Sequence, residues 1–264
     1  MHSMGALIQA RYPHGLDNSS LELSITMLKG RNAMALKRHI LIGGASRGIG
    51  LGLTRAFLEA GWQVHAVARS LPDDSPLLAL QQQWPHALQL IQADLNAADA
   101  GERIIQALAG QRLACALFNA GVSTPRHADA LQASVEELGQ LFLANAVAPL
   151  RLAQRLAGEV EDDGVVAFMS SQMGSQGLAM SSSMPLYGAS KAALNNLLVS
   201  WHAQQPRPWS VLALHPGWVR TDMGGDAAPL SVEQSAAGLL QVITGQLGRR
   251  ELAFLDYQGE TLPW

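Results

Sequence analysis

The run His39-Ile40-Leu41-Ile42-Gly43-Gly44-Ala45-Ser46-Arg47-Gly48-Ile49-Gly50 constrains this chain of 264 residues more than any other stretch. His39 to Ile42 reads as a buried strand, and a helical pattern runs from Gly48 to Ala60 with no linker between them. A strand that passes through such a turn straight into a helix leaves free backbone N–H groups and the positive end of a helix dipole facing one point, which suits a pyrophosphate. Gly44 permits the sharp turn, Gly48 lets the backbone approach the anion, and Gly50 lets the new helix pack on the strand. Ser46, Arg47 and Ile49 complete the turn. The competing reading is a tight turn without a ligand. The strand before it and the helix after it favour a nucleotide.

From Arg38 onward, short apolar runs alternate with segments of helical period. Strands are expected at His39–Ile42, Gln63–Ala68, Leu88–Gln92, Ala114–Phe118, Val165–Met169, Val211–Leu214 and Leu252–Leu255. Helices are expected between them, among them a long one from Ser134 to Leu156, opened by a capping box of Ser134 and Glu137. Strands nearly free of charge and separated by helices imply a parallel sheet covered on both faces. The expected fold is α/β: a single doubly wound Rossmann domain over 37–264, with a mostly parallel seven-stranded sheet and helices on both faces.

Residues 1–36 show no strong period and lack the basic start and apolar core of a secretory signal. Two readings stand for them: a disordered extension, or a start codon assigned too early, with Met34 as the true start. The net charge of -3 offers no basic field for nucleic acid or an acidic membrane surface. No apolar run approaches the ~20 residues of a membrane span. The single cysteine, Cys115, lies in an apolar strand and reads as a core residue, which fits a reducing, cytoplasmic setting.

The second strand ends Val64-His65-Ala66-Val67-Ala68-Arg69-Ser70. An acidic residue near this end would bond the adenosine ribose hydroxyls of NAD. Arg69 stands there instead, and Arg47 lies in the glycine-rich turn. Two guanidinium groups can clamp a 2′-phosphate, so NADP(H) is favoured over NAD; two solvated surface arginines are the alternative. Further on, Tyr187-Gly188-Ala189-Ser190-Lys191 places a phenol and an ammonium one helical turn apart on one face. The lysine charge, with that of an oxidised nicotinamide, is expected to lower the phenol pKa from about 10 and let Tyr187 exchange a proton with a carbonyl or alcohol.

With Gly44-x-x-x-Gly48-x-Gly50 upstream, the sequence resembles the short-chain dehydrogenase/reductase family, essentially over Arg38 to Trp264. Gly43 stands where relatives usually carry a threonine, so a side-chain bond that steadies the turn is absent. The resemblance implies a catalytic set of Asn145, Ser171, Tyr187 and Lys191. Ser171 would bond the substrate oxygen, Tyr187 act as acid or base, Lys191 also hold the nicotinamide ribose, and Asn145 hold a water leading to solvent. Ser170 competes with Ser171, because the gap to Tyr187 is longer than usual. The resemblance places Asp94 and Leu95 at the adenine, although Asp94 reads equally as a helix cap. It brings Asn119, Ala120 and Gly121 close to the cofactor, with Asn119 mainly steadying the sheet. In Pro216-Gly217-Trp218-Val219-Arg220-Thr221 it turns Pro216, Gly217, Val219 and Thr221 toward the nicotinamide. Trp218 either lines the substrate side or packs beneath the loop.

The stretches Met169 to Ser175, His215 to Gly224 and Tyr257 to Trp264 look like the C-factor-like branch of the family, whose members are bacterial and in part tied to signalling. The expected activity is transfer of a hydride between NADP(H) and a carbonyl or alcohol. The alternative is a nucleotide-bound signalling protein with little turnover. Met173, Met180 and Met184 between Ser171 and Tyr187 suggest an adaptable pocket for small or medium apolar carbonyls, or merely pack the loop. A homodimer or homotetramer is expected if the apolar faces of the long helices pair between copies rather than face the core.

Overall fold

Seven apolar runs become strands because each can bury both faces between helices. The computed structural model describes residues 38–123, 129–180, 183–204 and 208–264; the expectations for residues 1–36 lie outside them. In chain order the regular elements are β1 (His39–Gly43), α1 (Gly48–Glu59), β2 (Gln63–Ala68), α2 (Pro76–Gln83), β3 (Leu88–Gln92), α3 (Ala100–Leu108) and β4 (Leu113–Phe118). Then come α4 (Val135–Phe142), α5 (Ala148–Leu156), β5 (Val160–Met169), α6 (Pro185–Gln204), β6 (Ser210–His215), α7 (Val232–Gly245) and β7 (Leu252–Asp256).

All strands are parallel, in the order β3-β2-β1-β4-β5-β6-β7. The winding reverses between β1 and β4, and a crevice opens at the carboxyl ends of two such strands. Two apolar cores flank the sheet. One packs Leu53, Phe57, Leu239 and Ile243 of α1 and α7 against Ile40, Ile42 and Leu212. The other packs Ile104, Leu152, Leu194, Leu198 and Trp201 of α3, α5 and α6 against Leu41, Val166 and Val211. The apolar stripe Leu194, Leu198 and Trp201 of α6 therefore serves the core of its own chain. Fully burying one such leucine contributes about 1.5–3 kcal/mol.

Two elements differ from the sequence expectation. The fifth strand begins at Val160, not Val165, and its early part carries the exposed residues Glu161, Asp162 and Asp163. These charges hide the strand from a hydropathy reading, and its pairing with β4 shifts register between Leu113 and Cys115. The helix expected over Ser134–Leu156 is not continuous: a wide π-type turn, Leu143–Val147, separates α4 from α5. Pro149, four residues after Asn145, has no N–H for the Asn145 carbonyl, and its ring crowds that carbonyl in a regular helix. The turn widens so that the N–H of Ala148 reaches the Leu143 carbonyl, five residues back. The capping box at Ser134 forms as expected: the Glu137 N–H donates to Ser134 Oγ at 3.2 Å, and the Ser134 N–H donates to Glu137 Oε2 at 2.9 Å.

Candidate active site

The floor of the crevice is backbone from the ends of β1 and β4. The N–H groups of Asn119 and Ala120 donate to the Gly43 carbonyl at 2.9 and 3.1 Å. Asn119 Nδ2 donates to the Gly44 carbonyl at 2.9 Å, so Asn119 steadies the turn. Gly44 has φ +84°, and a Cβ there would lie 2.8 Å from Ala120. A Cβ on Gly50 would lie 2.1 Å from the Gly44 carbonyl oxygen. The missing threonine at Gly43 is thus offset by Asn119, which holds the turn from the neighbouring strand.

A cleft of about 520 Å³ opens above this floor, lined by Gly44, Ser46, Arg47, Gly48 and Ile49 on one side and by Tyr187, Lys191, Pro216 and Thr221 on the other. A second hollow of about 190 Å³ adjoins it, lined by Arg47, Arg69, Asp94, Leu95, Ala120 and Gly121. The residues expected at the two ends of a dinucleotide therefore line two neighbouring hollows that share Gly44, Ser46, Arg47, Ala120 and Gly121. Asp94 accepts from the Asn96 N–H at 3.0 Å, a local turn contact, while its residue also lines the hollow. Gly217 and Val219 line neither hollow. Gly217 adopts φ +82°, and Val219 is buried and bridged to Leu230, so these two shape the loop that carries Thr221.

Of the expected catalytic set, Tyr187 and Lys191 line the cleft together with Ser170, while Ser171 and Asn145 lie behind its lining, and each is held differently. Lys191 is buried, and its Nζ donates to the Met169 carbonyl at 2.8 Å and lies 5.8 Å from the centroid of the Tyr187 ring. Burial pushes its pKa down to about 8. Tyr187 keeps part of its surface open to the cleft, but protein packs densely around its hydroxyl. Burial pushes its pKa up to about 12, against a hydrogen bond from Ser171 that favours the phenolate. Among the protein's own groups, burial outweighs the bond from Ser171. Ser171 Oγ also accepts from the Met173 N–H at 3.2 Å. Ser170 also lines the cleft, and its hydroxyl donates to Asn195 Oδ1 at 2.7 Å. Asn145 lies in the π-type turn. Its Oδ1 accepts from the Val122 N–H at 2.7 Å, and its Nδ2 donates to the Val122 carbonyl at 2.9 Å and to Ser190 Oγ at 3.0 Å. Its side chain therefore clamps the loop after β4 to α6.

Residues 38–229 match the family model described as short chain dehydrogenase. The chain belongs to that family. The short-chain dehydrogenase fold is also found, at 52% identity and a TM-score of 0.82, in a carbonyl reductase from Pseudomonas aeruginosa PAO1, with 86% of this chain and 100% of that one covered. The same reductase solved in complex with NADP matches at 53% identity and a TM-score of 0.82, with the same coverage. The C-signal protein of Myxococcus xanthus is 36% identical over 131 residues, 48% of this chain and 79% of its own length.

Several residues of this short-chain dehydrogenase's cleft were not legible from sequence. Asp222, Met223 and Val232 line it, and Asp222 forms an ion pair with Arg47. Ser190 and Asn195 hold Asn145 and Ser170. The position of Asp222, directly after Thr221 at an anion-binding cleft, was the available signal. Trp218 is 55% exposed, with its indole N–H donating to the Gly224 carbonyl at 2.8 Å, so it is displayed rather than packed beneath the loop. Cys115 is buried in β4, where desolvation pushes its thiol pKa up. Among the described residues no group of three or more metal-ligating side chains is found, and no helix is long and apolar enough to cross a membrane.

Proposed function

We propose that this protein is an NADP(H)-dependent carbonyl reductase in which Tyr187 passes a proton to the carbonyl oxygen, or takes one from the alcohol in the reverse direction. The observation that carries this reading is that Tyr187 and Lys191 line one wall of a cleft whose other wall is a glycine-rich turn, with Ser171 hydrogen-bonded to Tyr187. The donor set fits a dinucleotide: a backbone cradle at Gly44 to Gly50 that a Cβ would obstruct, and two arginines at the hollow where an adenosine 2′-phosphate would lie. When bound, the nicotinamide supplies or accepts the hydride. The NADP complex of the Pseudomonas aeruginosa reductase supports the same cofactor here.

The chain's own residues do the rest. Tyr187, with its pKa pushed up to about 12, holds its proton at neutral pH and stands as the donor for reduction. Ser171, bonded to it, gives the substrate oxygen a second hydrogen-bond partner and fixes where that oxygen sits. Lys191 is anchored to the end of β5, so the ammonium, the phenol and Ser171 move as one unit. Asn145 fixes the loop carrying Val122 against α6. Met223 lines the cleft and Val122 the adjoining hollow, and both are exposed apolar side chains, as are Met180 in the segment between Ser171 and Tyr187 and Trp218 beside Gly217; this supports small or medium apolar aldehydes and ketones as substrates. The test is NADPH consumption with a panel of carbonyls, against Tyr187→Phe as control. Turnover with apolar aldehydes that the variant loses, while it still binds NADPH, is the expected result. A biological activity that survives in the variant would instead favour the signalling reading.

A further inference from the structure

The ion pair between Arg47 and Asp222 crosses the mouth of the cleft. Arg47 Nη1 donates to Asp222 Oδ2, and each side chain is 78% exposed. Arg47 comes from the glycine-rich turn and Asp222 from the loop after β6. The two lips are close even without the pair: a Cβ on Gly48 would lie 3.4 Å from Thr221 Cγ2. Arg47 lines both hollows, whereas Asp222 lines only the one that holds Tyr187 and Lys191. Arg69 lines only the other hollow, and among the described residues it has no carboxylate partner. The contact therefore draws one of the two guanidinium groups toward the catalytic side and away from the other.

We propose that Asp222 sets cofactor affinity and selectivity by competing with the 2′-phosphate of NADP(H) for Arg47. This rests on the reading above, in which Arg47 and Arg69 together take that phosphate. A carboxylate and a phosphate make the same charge-assisted bonds to a guanidinium, so one edge of Arg47 cannot serve both fully. An exposed ion pair is weak in water, so the dianionic phosphate displaces Asp222, at some loss of affinity. Asp222 also puts a negative charge on the lip of a cleft that takes a pyrophosphate. That repulsion acts on the pyrophosphate that NADH and NADPH share and, at longer range, on the 2′-phosphate, and it fades with salt. The competition for Arg47 acts on NADPH alone. Removing the carboxylate thus has two separable effects, one common to both nucleotides and one confined to the 2′-phosphate.

The experiment measures Kd for NADPH and NADH by nucleotide fluorescence, at low and high salt, for the wild type, Asp222→Asn, Arg47→Ala and the double variant. Asp222→Asn should tighten NADPH by about 3- to 5-fold more than NADH, the scale of one exposed ion pair. In the Arg47→Ala background at high salt, the same change should affect both nucleotides equally. A wild type that prefers NADPH, with an NADPH-to-NADH ratio unchanged by Asp222→Asn, overturns the competition and leaves the cofactor reading standing. Weaker NADPH binding in Asp222→Asn also overturns it, because Asp222 then positions Arg47 for the phosphate. No preference for NADPH in either protein overturns the cofactor reading and this proposal together. A preference that appears only in Asp222→Asn supports the competition in its strongest form.

Discussion

Lys191 donates from Nζ to the carbonyl oxygen of Met169, 2.8 Å away, and so ties the first turns of α6 to the last residue of β5. Ser170 and Ser171 follow Met169 directly, and Tyr187 lies one helical turn before Lys191. One buried bond therefore joins the two segments that carry the proton-transfer groups. Asn195, one turn further along α6, repeats the connection by accepting from Ser170. The strand end and the helix form a rigid unit on which Tyr187, with Ser171 bonded to it, is presented to the cleft, and such rigidity is what positioning a reacting oxygen requires.

Buried as it is, Lys191 makes stability depend on pH. Its folded pKa, about 8, lies below the 10.5 of an exposed lysine. Between these values the unfolded chain holds a proton that the folded one has released, so stability rises with pH across the window from 8 to 10.5 and is lost as pH falls through 8. Relative to Lys191→Met, the wild type should gain on the order of 2 kcal/mol between pH 7 and pH 9.5. Urea melts at the two pH values, without added nucleotide, measure this. Parallel curves for the two proteins would show that Lys191 remains charged in the fold.

The two adjacent serines should separate cleanly. Ser171→Ala removes the hydroxyl bonded to Tyr187 and should lower kcat for carbonyl reduction about 100-fold, with little change in melting temperature. Ser170→Ala leaves buried Asn195 Oδ1 without its donor and should cost about 1–3 kcal/mol of stability, with kcat within a few-fold of wild type. Single-turnover assays and thermal melts of both variants check the pair. The reverse pattern would transfer the catalytic assignment to Ser170.

What was legible in the sequence follows from range. The glycine turn, the strands and the Tyr187–Lys191 spacing are encoded locally, through φ > 0 positions, β-rich runs and a single helical turn. The order of strands was legible only as a doubly wound class. The partners across the cleft were not legible, because Arg47 and Asp222 are 175 residues apart and nothing in either neighbourhood names the other. The broken helix lay between these cases. Pro149 was in plain view four residues after Asn145, yet the strong capping box at Ser134 drew the whole stretch into one helix. The early part of β5 was missed because three acidic residues mask a strand that pairs at its edge with Leu113.

Gly50 tests the cradle. A methyl there would meet the Gly44 carbonyl oxygen at 2.1 Å and Asn119 Nδ2 at 2.7 Å, and neither can retreat without opening the turn. Gly50→Ala should destabilise the fold by about 2–3 kcal/mol and weaken NADPH binding at least 10-fold. Gly61→Ala is the control: Gly61 sits at positive φ, +83°, but a Cβ there meets nothing within 4 Å. It should lose stability through backbone strain while keeping NADPH affinity. Calorimetric melts and nucleotide titrations of both variants separate loss of the cradle from loss of stability. Equal affinities in the two would mean that the turn does not receive the pyrophosphate.

Trp264 tests how the substrate loop is held. The tail after β7 folds back on its own strand: the Leu262 N–H donates to the Phe254 carbonyl at 2.8 Å, and the rings of Phe254 and Trp264 lie 5.4 Å apart. This sets Pro263 and Trp264 against the loop after Ser171. The Gly177 N–H donates to the Trp264 carbonyl at 3.2 Å, and a Cβ on Gly177 would come within 3.0 Å of Pro263. The tail is therefore a prop beneath the segment between Ser171 and Tyr187. Trp264→Ala removes the ring that pins it and should raise KM for the carbonyl about 5-fold by loosening the loop, with NADPH affinity unchanged because the tail touches neither the turn at Gly44 nor Arg69. Trp264→Phe, which keeps a ring against Phe254, should recover most of the loss. If kcat and NADPH affinity fell together while KM stayed constant, the tail would be supporting the whole sheet edge rather than the substrate loop.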